Sequence, residues 1–200
     1  LLLAAVPLFV FIGVALSKST IATNMYEAFY LWSGRLRGGL AVGTCGFAAA
    51  LSAMTGNCSA STVTTGLVAI PPMRKRKYDE GIIFGSIGSA GTMGILIPPS
   101  ITLIVIGMMT GQSIGKLFAG GLVAGTLIVA AFILYILARA YLQPDLCPAM
   151  EETATLAEKA RALKSVTLPI LIIISILGSL FFGIATPTEA ASVGAVGALL

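Results

Sequence analysis

The stretch Gly91–Ser100 reads GTMGILIPPS and lies inside an apolar run, Gly81 to Met109, long enough to cross a bilayer once. Two adjacent prolines there remove two backbone donors and stop the helix from continuing. A bilayer core holds no water to repair that loss, and each unsatisfied carbonyl costs several kcal/mol. One reading is a kink whose carbonyls are satisfied by neighbouring helices. The other is a true interruption, with carbonyls presented to a cation and the N-terminus of the second half facing an anion. The second proline, the upstream glycines Gly91 and Gly94 and the following Ser100 favour the interruption.

The rest of the chain sets the medium. Of its 200 residues 57% are hydrophobic and 10% charged, against about 25% charged in a soluble domain. This is the composition of an integral membrane protein. The opening, LLLAAVPLFVFIGVAL, has neither Met nor a basic leader, which argues against a signal peptide, and the chain is expected to be part of a longer protein. The absence of histidine removes Ser-His and Cys-His pairs, imidazole proton relays and the commonest metal ligand. Cys45, Cys58 and Cys147 are odd in number and lack CxxC spacing, so they suggest neither a disulfide framework nor a zinc site. No transition-metal site is expected, and nucleic acid is not implied by the charge.

Membrane segments are expected at Leu1 to Leu16, Gly81 to Met109, Leu117 to Leu142 and Val166 to Ile184, with a further helix from about Thr186. Between Arg37 and Arg74 lie 36 residues, Gly38 to Met73, too many for one straight span and too few for two spans and a turn. The centre of this segment, TGNCSAST, is small and polar. A re-entrant hairpin with its tip near mid-membrane fits both facts. It also places eleven of the twelve Lys and Arg on one face, leaving only Lys116 opposite, as the positive-inside rule requires of the cytoplasmic side. Loops 74–80 and 143–165 are therefore expected in the cytoplasm. The predicted class is an all-α membrane protein, a multi-span helical bundle with a re-entrant helical hairpin and a Pro-Pro broken transmembrane helix. Its sections are 1–37 (scaffold span and interfacial helix), 38–73 (hairpin), 74–115 (basic turn and broken helix), 116–142 (span), 143–165 (loop with a short helix) and 166–200 (further scaffold helices).

The hairpin tip from Thr55 to Thr62 concentrates hydroxyl and amide oxygens. They can serve close helix packing, or they can bind a hard monovalent cation and a polar solute. A tip and a broken helix in one bundle are the layout of a secondary transporter's site. TPTE, Thr186–Glu189, has the residues of a capping box and is sufficiently explained by helix initiation. RKRKYDE, Arg74–Glu80, reads as a topology-fixing turn with head-group contact as a lesser role. A serine hydrolase using Ser59 or Ser61 lacks any His, or any Lys inside a membrane segment, to act as base; no enzyme activity is expected.

In order along the chain, VPLFVFIG, GRLRGGLAVG, MTGNCSAST followed by GLVAIPPM, GSAGTMGILIPPSI, TGQSIGKLFAGGLVAGTL and GIATPTEAASVGA resemble the large membrane subunit of tripartite ATP-independent periplasmic (TRAP) transporters. The resemblance implies about half of that subunit, one inverted-repeat unit of an elevator-type ion transporter fold in the bacterial inner membrane. It implies Na⁺-coupled uptake of an organic acid anion of the C4-dicarboxylate, keto acid or sialic acid type. The implied partners are a periplasmic solute-binding protein and a small membrane subunit, with Na⁺ as coupling ion and no other cofactor. The implied Na⁺ ligands are Thr55, Asn57, Ser59, Gly94, Ile97 and Pro99, with Ser61 and Ser100 near the solute. Asn57 and Cys58 depart from the family's run of serines and small residues, and soft sulfur is a poor Na⁺ ligand. The alternative within transport is a binding-protein-independent divalent-anion or citrate symporter of a related hairpin-containing fold.

Overall fold

The computed structural model describes residues 5–18, 20–33, 36–148, 155–182 and 184–197. Leu1 to Ala4 of the first expected span and Arg35 of the basic set fall outside them. Among the described residues all regular structure is helical: α1 (Ala5–Lys18), α2 (Thr20–Ser33), α3 (Gly39–Thr55), α4 (Cys58–Lys75), α5 (Glu80–Gly91), α6 (Ile101–Thr110), α7 (Ile114–Leu142), α8 (Leu156–Phe181) and α9 (Pro187–Gly197). Short 3-10 turns cover Thr92–Ile95 and Pro144–Leu146.

Helix α3 is the axis of the bundle. Its sequence, GLAVGTCGFAAALSAMT, offers small residues all round, so neighbours can approach from every side, and 13 of its 17 residues are buried. Phe9 and Ile12 of α1, Met25 of α2, Met73 of α4 and Ile83 of α5 join Phe47 and Leu51 of α3 in one buried cluster. α7 behaves oppositely, with Val123, Leu127 and Leu134 largely exposed. It is, among the described residues, the one helix long and apolar enough to cross a membrane unaided; α3, α6 and parts of α1 and α8 are shorter apolar helices.

Segment 38–73 folds as two antiparallel helices, α3 and α4, joined by Gly56 and Asn57 alone. Their pairing runs from Ser52 and Ser61, whose hydroxyls lie 2.9 Å apart, to Thr44, whose hydroxyl reaches the Met73 sulfur at 3.7 Å. The run Gly81–Met109 is interrupted as its prolines predict: α5 stops at Gly91, a 3-10 turn follows, and α6 starts only after a cis Pro98–Pro99 bond. A separate short helix was expected in 143–165, distinct from the span at 166. Instead α8 runs unbroken from Leu156 to Phe181. Nothing between Leu156 and Val166 interrupts a helix, since that stretch is made of Ala, Leu, Glu, Lys and Arg with one Ser.

One end of the bundle gathers the polar turns. Arg76 of the basic turn donates through Nη2 to the Tyr30 hydroxyl on α2 and lies 4.7 Å from that ring's centroid. Asp79 N–H bonds the Leu146 carbonyl at 3.1 Å, which ties the turn after α4 to the turn after α7. Burial pushes the Tyr78 phenol up to about 12, although a backbone hydrogen bond with Leu40 works against the rise. Cys147 is fully buried there, and burial raises its thiol above the ordinary value. At the start of α9 the capping box forms: Thr186 N–H and hydroxyl both reach Glu189 Oε2 at 2.8 Å, and Glu189 N–H returns to the Thr186 hydroxyl at 3.4 Å.

Candidate cation and solute site at the hairpin tip

The tip is built by two complementary helix ends. Gly56 closes α3 with φ 59°, a left-handed conformation that glycine adopts without penalty, and its N–H bonds the Ser52 carbonyl at 2.9 Å. The next residue, Asn57, is extended and caps α4 through Oδ1, which accepts from Ser59 N–H at 2.9 Å and Ala60 N–H at 3.4 Å. The turn therefore needs no side chain larger than Asn.

The break in the α5–α6 run lies against this tip. A Cβ placed on Gly56 would stand 2.5 Å from the Pro99 carbonyl oxygen and 3.5 Å from the Ile101 nitrogen. From the other side, a Cβ on Gly94 would stand 2.8 Å from the Cys58 nitrogen and 2.9 Å from the Asn57 carbonyl carbon. Tip and break thus meet backbone to backbone at two points. Helix lengths explain the common height: α3 rises about 25 Å, and α5 with its 3-10 turn reaches Gly94 after roughly 24 Å. Both start from the end where Leu40 and Tyr78 are bonded.

Two glycines of α7 complete the seat. A Cβ on Gly121 would lie 2.5 Å from the Leu96 carbonyl oxygen, and one on Gly125 would lie 2.9 Å from Ile97. On the α1 side, a Cβ on Gly13 would lie 2.7 Å from the Thr55 Cα, and Gly91 leaves room for Thr62. Gly13, Gly121 and Gly125 were not singled out from sequence, whereas Gly91 was taken with Gly94 as favouring the break. The Gly121–Gly125 pair has the small-xxx-small spacing that marks close helix contact and could have been found that way.

The polar inventory follows. Among the described residues no hydrogen bond ends on the carbonyls of Ile97, Pro98 or Pro99, and all three residues are buried. In a buried position such carbonyls call for a partner. The Ile95 carbonyl, by contrast, accepts from the Ser100 hydroxyl at 2.7 Å, and Ser100 also accepts from Leu103 N–H at 3.4 Å as the cap of α6. Thr55 is buried and donates its hydroxyl to the Asn57 carbonyl at 3.3 Å. The carbonyl-rich ends of α3 and α5 and the N–H-rich ends of α4 and α6 therefore converge. That crossing offers opposite partial charges to a cation and to an anion.

Of the expected ligands, Thr55, Asn57, Gly94, Ile97 and Pro99 fall within this junction. Ser59 stands on the exposed side of the first turn of α4. Ser61 turns into the hairpin, bonding Ser52 and the Ala48 carbonyl at 3.2 Å. Ser100 is buried at the break and engaged in capping.

The family described as "Tripartite ATP-independent periplasmic transporter, DctM component" matches residues 1–200. The chain belongs to that family. It is 34% identical over 196 residues, 97% of this chain, to the C4-dicarboxylate TRAP transporter large permease protein of Vibrio cholerae, covering 42% of that protein. An ectoine/5-hydroxyectoine TRAP transporter large permease of Ruegeria pomeroyi is 32% identical over 95% of this chain and 44% of its own length. A sialic acid TRAP transporter permease of Haemophilus influenzae is 30% identical over 96% of this chain and 31% of its own length. The chain spans less than half the length of these relatives. As a member of this family it is a membrane-embedded piece of a transport permease.

Proposed function

We propose that the tip and the break close one Na⁺ site, and that this unit carries an organic acid anion inward across a bacterial inner membrane. The observation that carries the reading is the double backbone contact, Pro99 carbonyl against Gly56 and Gly94 against Asn57 and Cys58, at a break where the carbonyls of Ile97, Pro98 and Pro99 accept no hydrogen bond among the described residues. A hard monovalent cation is the fitting occupant, because the donors are neutral oxygens and no carboxylate stands among them. The helix N-termini of α4 and α6 suit the carboxylate of the solute. The named solutes of the relatives, C4-dicarboxylate, ectoine and sialic acid, support a small polar cargo of this kind.

The transport unit in this reading comprises α3 to α7, and it moves against α1, α2, α8 and α9 in an elevator motion. The hairpin is re-entrant, and the end holding residues 74–80 and 144–146 faces the cytoplasm, in keeping with the lysines and arginines concentrated there. A small membrane subunit and a periplasmic solute-binding protein complete the system. Uptake into proteoliposomes by the full-length permease with both partners, measured with and without an inward Na⁺ gradient, tests the coupling. Uptake indifferent to Na⁺ refutes it. Replacing both Pro98 and Pro99 with Ala is expected to weaken the Na⁺ dependence; an unchanged Na⁺ half-saturation would reduce the motif to a kink.

A further inference from the structure

A concavity lined by none of the tip residues lies between α5 and α7, opening at the end that carries the polar turns. Its volume is about 310 Å³. Because α5 begins and α7 ends there, the groove runs along both helices from Asp79 and Arg139 at its mouth to Ser89 and Phe132 further in. Ten residues of α5 separate Asp79 from Ser89, roughly 15 Å of groove.

Polarity changes along that length. The mouth holds one carboxylate and one guanidinium; Asp79 caps α5 by accepting through Oδ1 from Gly81 N–H at 2.9 Å and Ile82 N–H at 3.3 Å, with no hydrogen bond on Oδ2 among the described residues. Arg139 has a buried Nε with no hydrogen-bond partner, and it makes no ion pair within 4.0 Å among the described residues. Deeper in, the walls are Ile82, Ile136 and Phe132, and the hydroxyls of Ser86 and Ser89 are already bonded to carbonyls of their own helix. Gly85 forms part of the lining, and a Cβ there would meet nothing within 4 Å. Tyr135 and Tyr141 on the same end of α7 are largely exposed, as aromatic residues at the head-group level of a membrane protein are.

A charged mouth leading into an apolar slot beside α7, whose Tyr135 is exposed, matches a phospholipid in polarity. The charges at the mouth specify the head group further. One cation and one anion face the opening, so a purely anionic head group would satisfy Arg139 and be repelled by Asp79. A head group carrying a phosphate and a primary ammonium satisfies both. We infer that the α5–α7 groove binds a phospholipid of the phosphatidylethanolamine class, with its phosphate on Arg139, its ammonium on Asp79 and one acyl chain along Gly85 and Phe132. Choline head groups fit less well, because a quaternary ammonium has no proton to donate to the Asp79 carboxylate.

The test uses the full-length permease in nanodiscs of phosphatidylethanolamine, phosphatidylglycerol and phosphatidylcholine in equal parts. Lipid retained after detergent extraction is counted by native mass spectrometry. Phosphatidylethanolamine is expected in excess over the other two. Arg139→Gln should lower retention of every phospholipid about tenfold, by loss of a charge-assisted hydrogen bond. Asp79→Asn keeps a good helix cap, and should narrow the preference for ethanolamine over choline about two- to fivefold while total retention stays similar. Gly85→Leu, which has open space before it, should expel the chain with helix content and monodispersity unchanged. Three results overturn the assignment: no ethanolamine excess in the unaltered protein, phosphatidylglycerol ahead of phosphatidylethanolamine, or retention that survives both Arg139→Gln and Gly85→Leu.

Discussion

Gly56→Ala tests the tip–break joint at its tighter backbone-to-backbone contact. The substitution acts twice. An alanine held at φ near 59° costs about 1–2 kcal/mol, because its Cβ crowds the following carbonyl. Its methyl would also stand 2.5 Å from the Pro99 oxygen, where ordinary contact starts at 3.4 Å. Both atoms belong to short turns between helices rather than to flexible side-chain ends, so tip and break must part by about 0.9 Å, the difference between those distances. Overpacking of that order costs about 1–3 kcal/mol. The sum, about 2–5 kcal/mol against the joined arrangement, should raise the Na⁺ half-saturation of uptake at least about thirtyfold if the joined arrangement is the one that binds the ion. Gly94→Ala carries the steric part without a left-handed backbone and should shift it about fivefold or more. Gly88→Ala, where a Cβ meets nothing within 4 Å, serves as control. The assay is Na⁺-dependent uptake into proteoliposomes, with circular dichroism to confirm folding. A Gly56→Ala protein that folds and keeps the half-saturation of Gly88→Ala would refute the argument.

Three further outcomes are expected. Cys58, half-buried at the tip, should react with a soluble maleimide at neutral pH, while Cys45 and the fully buried Cys147, whose thiol is also raised by burial, should stay unlabelled until the protein is unfolded. Arg76→Ala should destabilise the basic end by about 1–2 kcal/mol through loss of the Tyr30 hydrogen bond and ring contact, whereas Arg74→Ala, which removes an exposed ion pair with Glu80, should change thermal stability by less than about 1 kcal/mol. Thr186→Ala should cost about 1 kcal/mol by opening the capping box, read as a lower melting temperature.

How far the site can be read from sequence depends on what holds each part together. The helix-turn-helix at 38–73 was legible because chain length and a polar centre leave few alternatives, and the break was legible because two prolines forbid a continuous helix. The docking of one on the other was expected through the resemblance, with Gly94 as a shared ligand, but its seats at Gly56, Gly121 and Gly125 were not, because a glycine in a membrane helix gives no sign of which backbone will lie against it. Asn57 shows a different limit. Its amide oxygen was read as a cation ligand, and in the fold it is also occupied in capping α4. Ser61 could equally face the solute or the opposite limb, and only the packed hairpin shows that it faces Ser52. The merging of the short helix of 143–165 into α8 was missed because the span was bounded by its apolar run, whereas Ala, Leu, Glu, Lys and Arg all favour continuation of the helix beyond it.

The backbone character of the joint between tip and break bears on how such a chain can change over time. Where two surfaces are matched through side chains, each substitution must be answered by another across the interface. Here the contacting atoms at Gly56, Gly94, Asn57, Cys58 and Pro99 are largely main-chain, so side chains projecting elsewhere from the same turn can be exchanged without refitting the joint. Cys58, whose side chain is not part of the joint, is then a variation on a fixed frame, whereas Asn57 stays tied to its cap on α4. Freedom to vary the chemistry lining the site, while the glycines hold its shape, would let one scaffold be adapted to different cargoes.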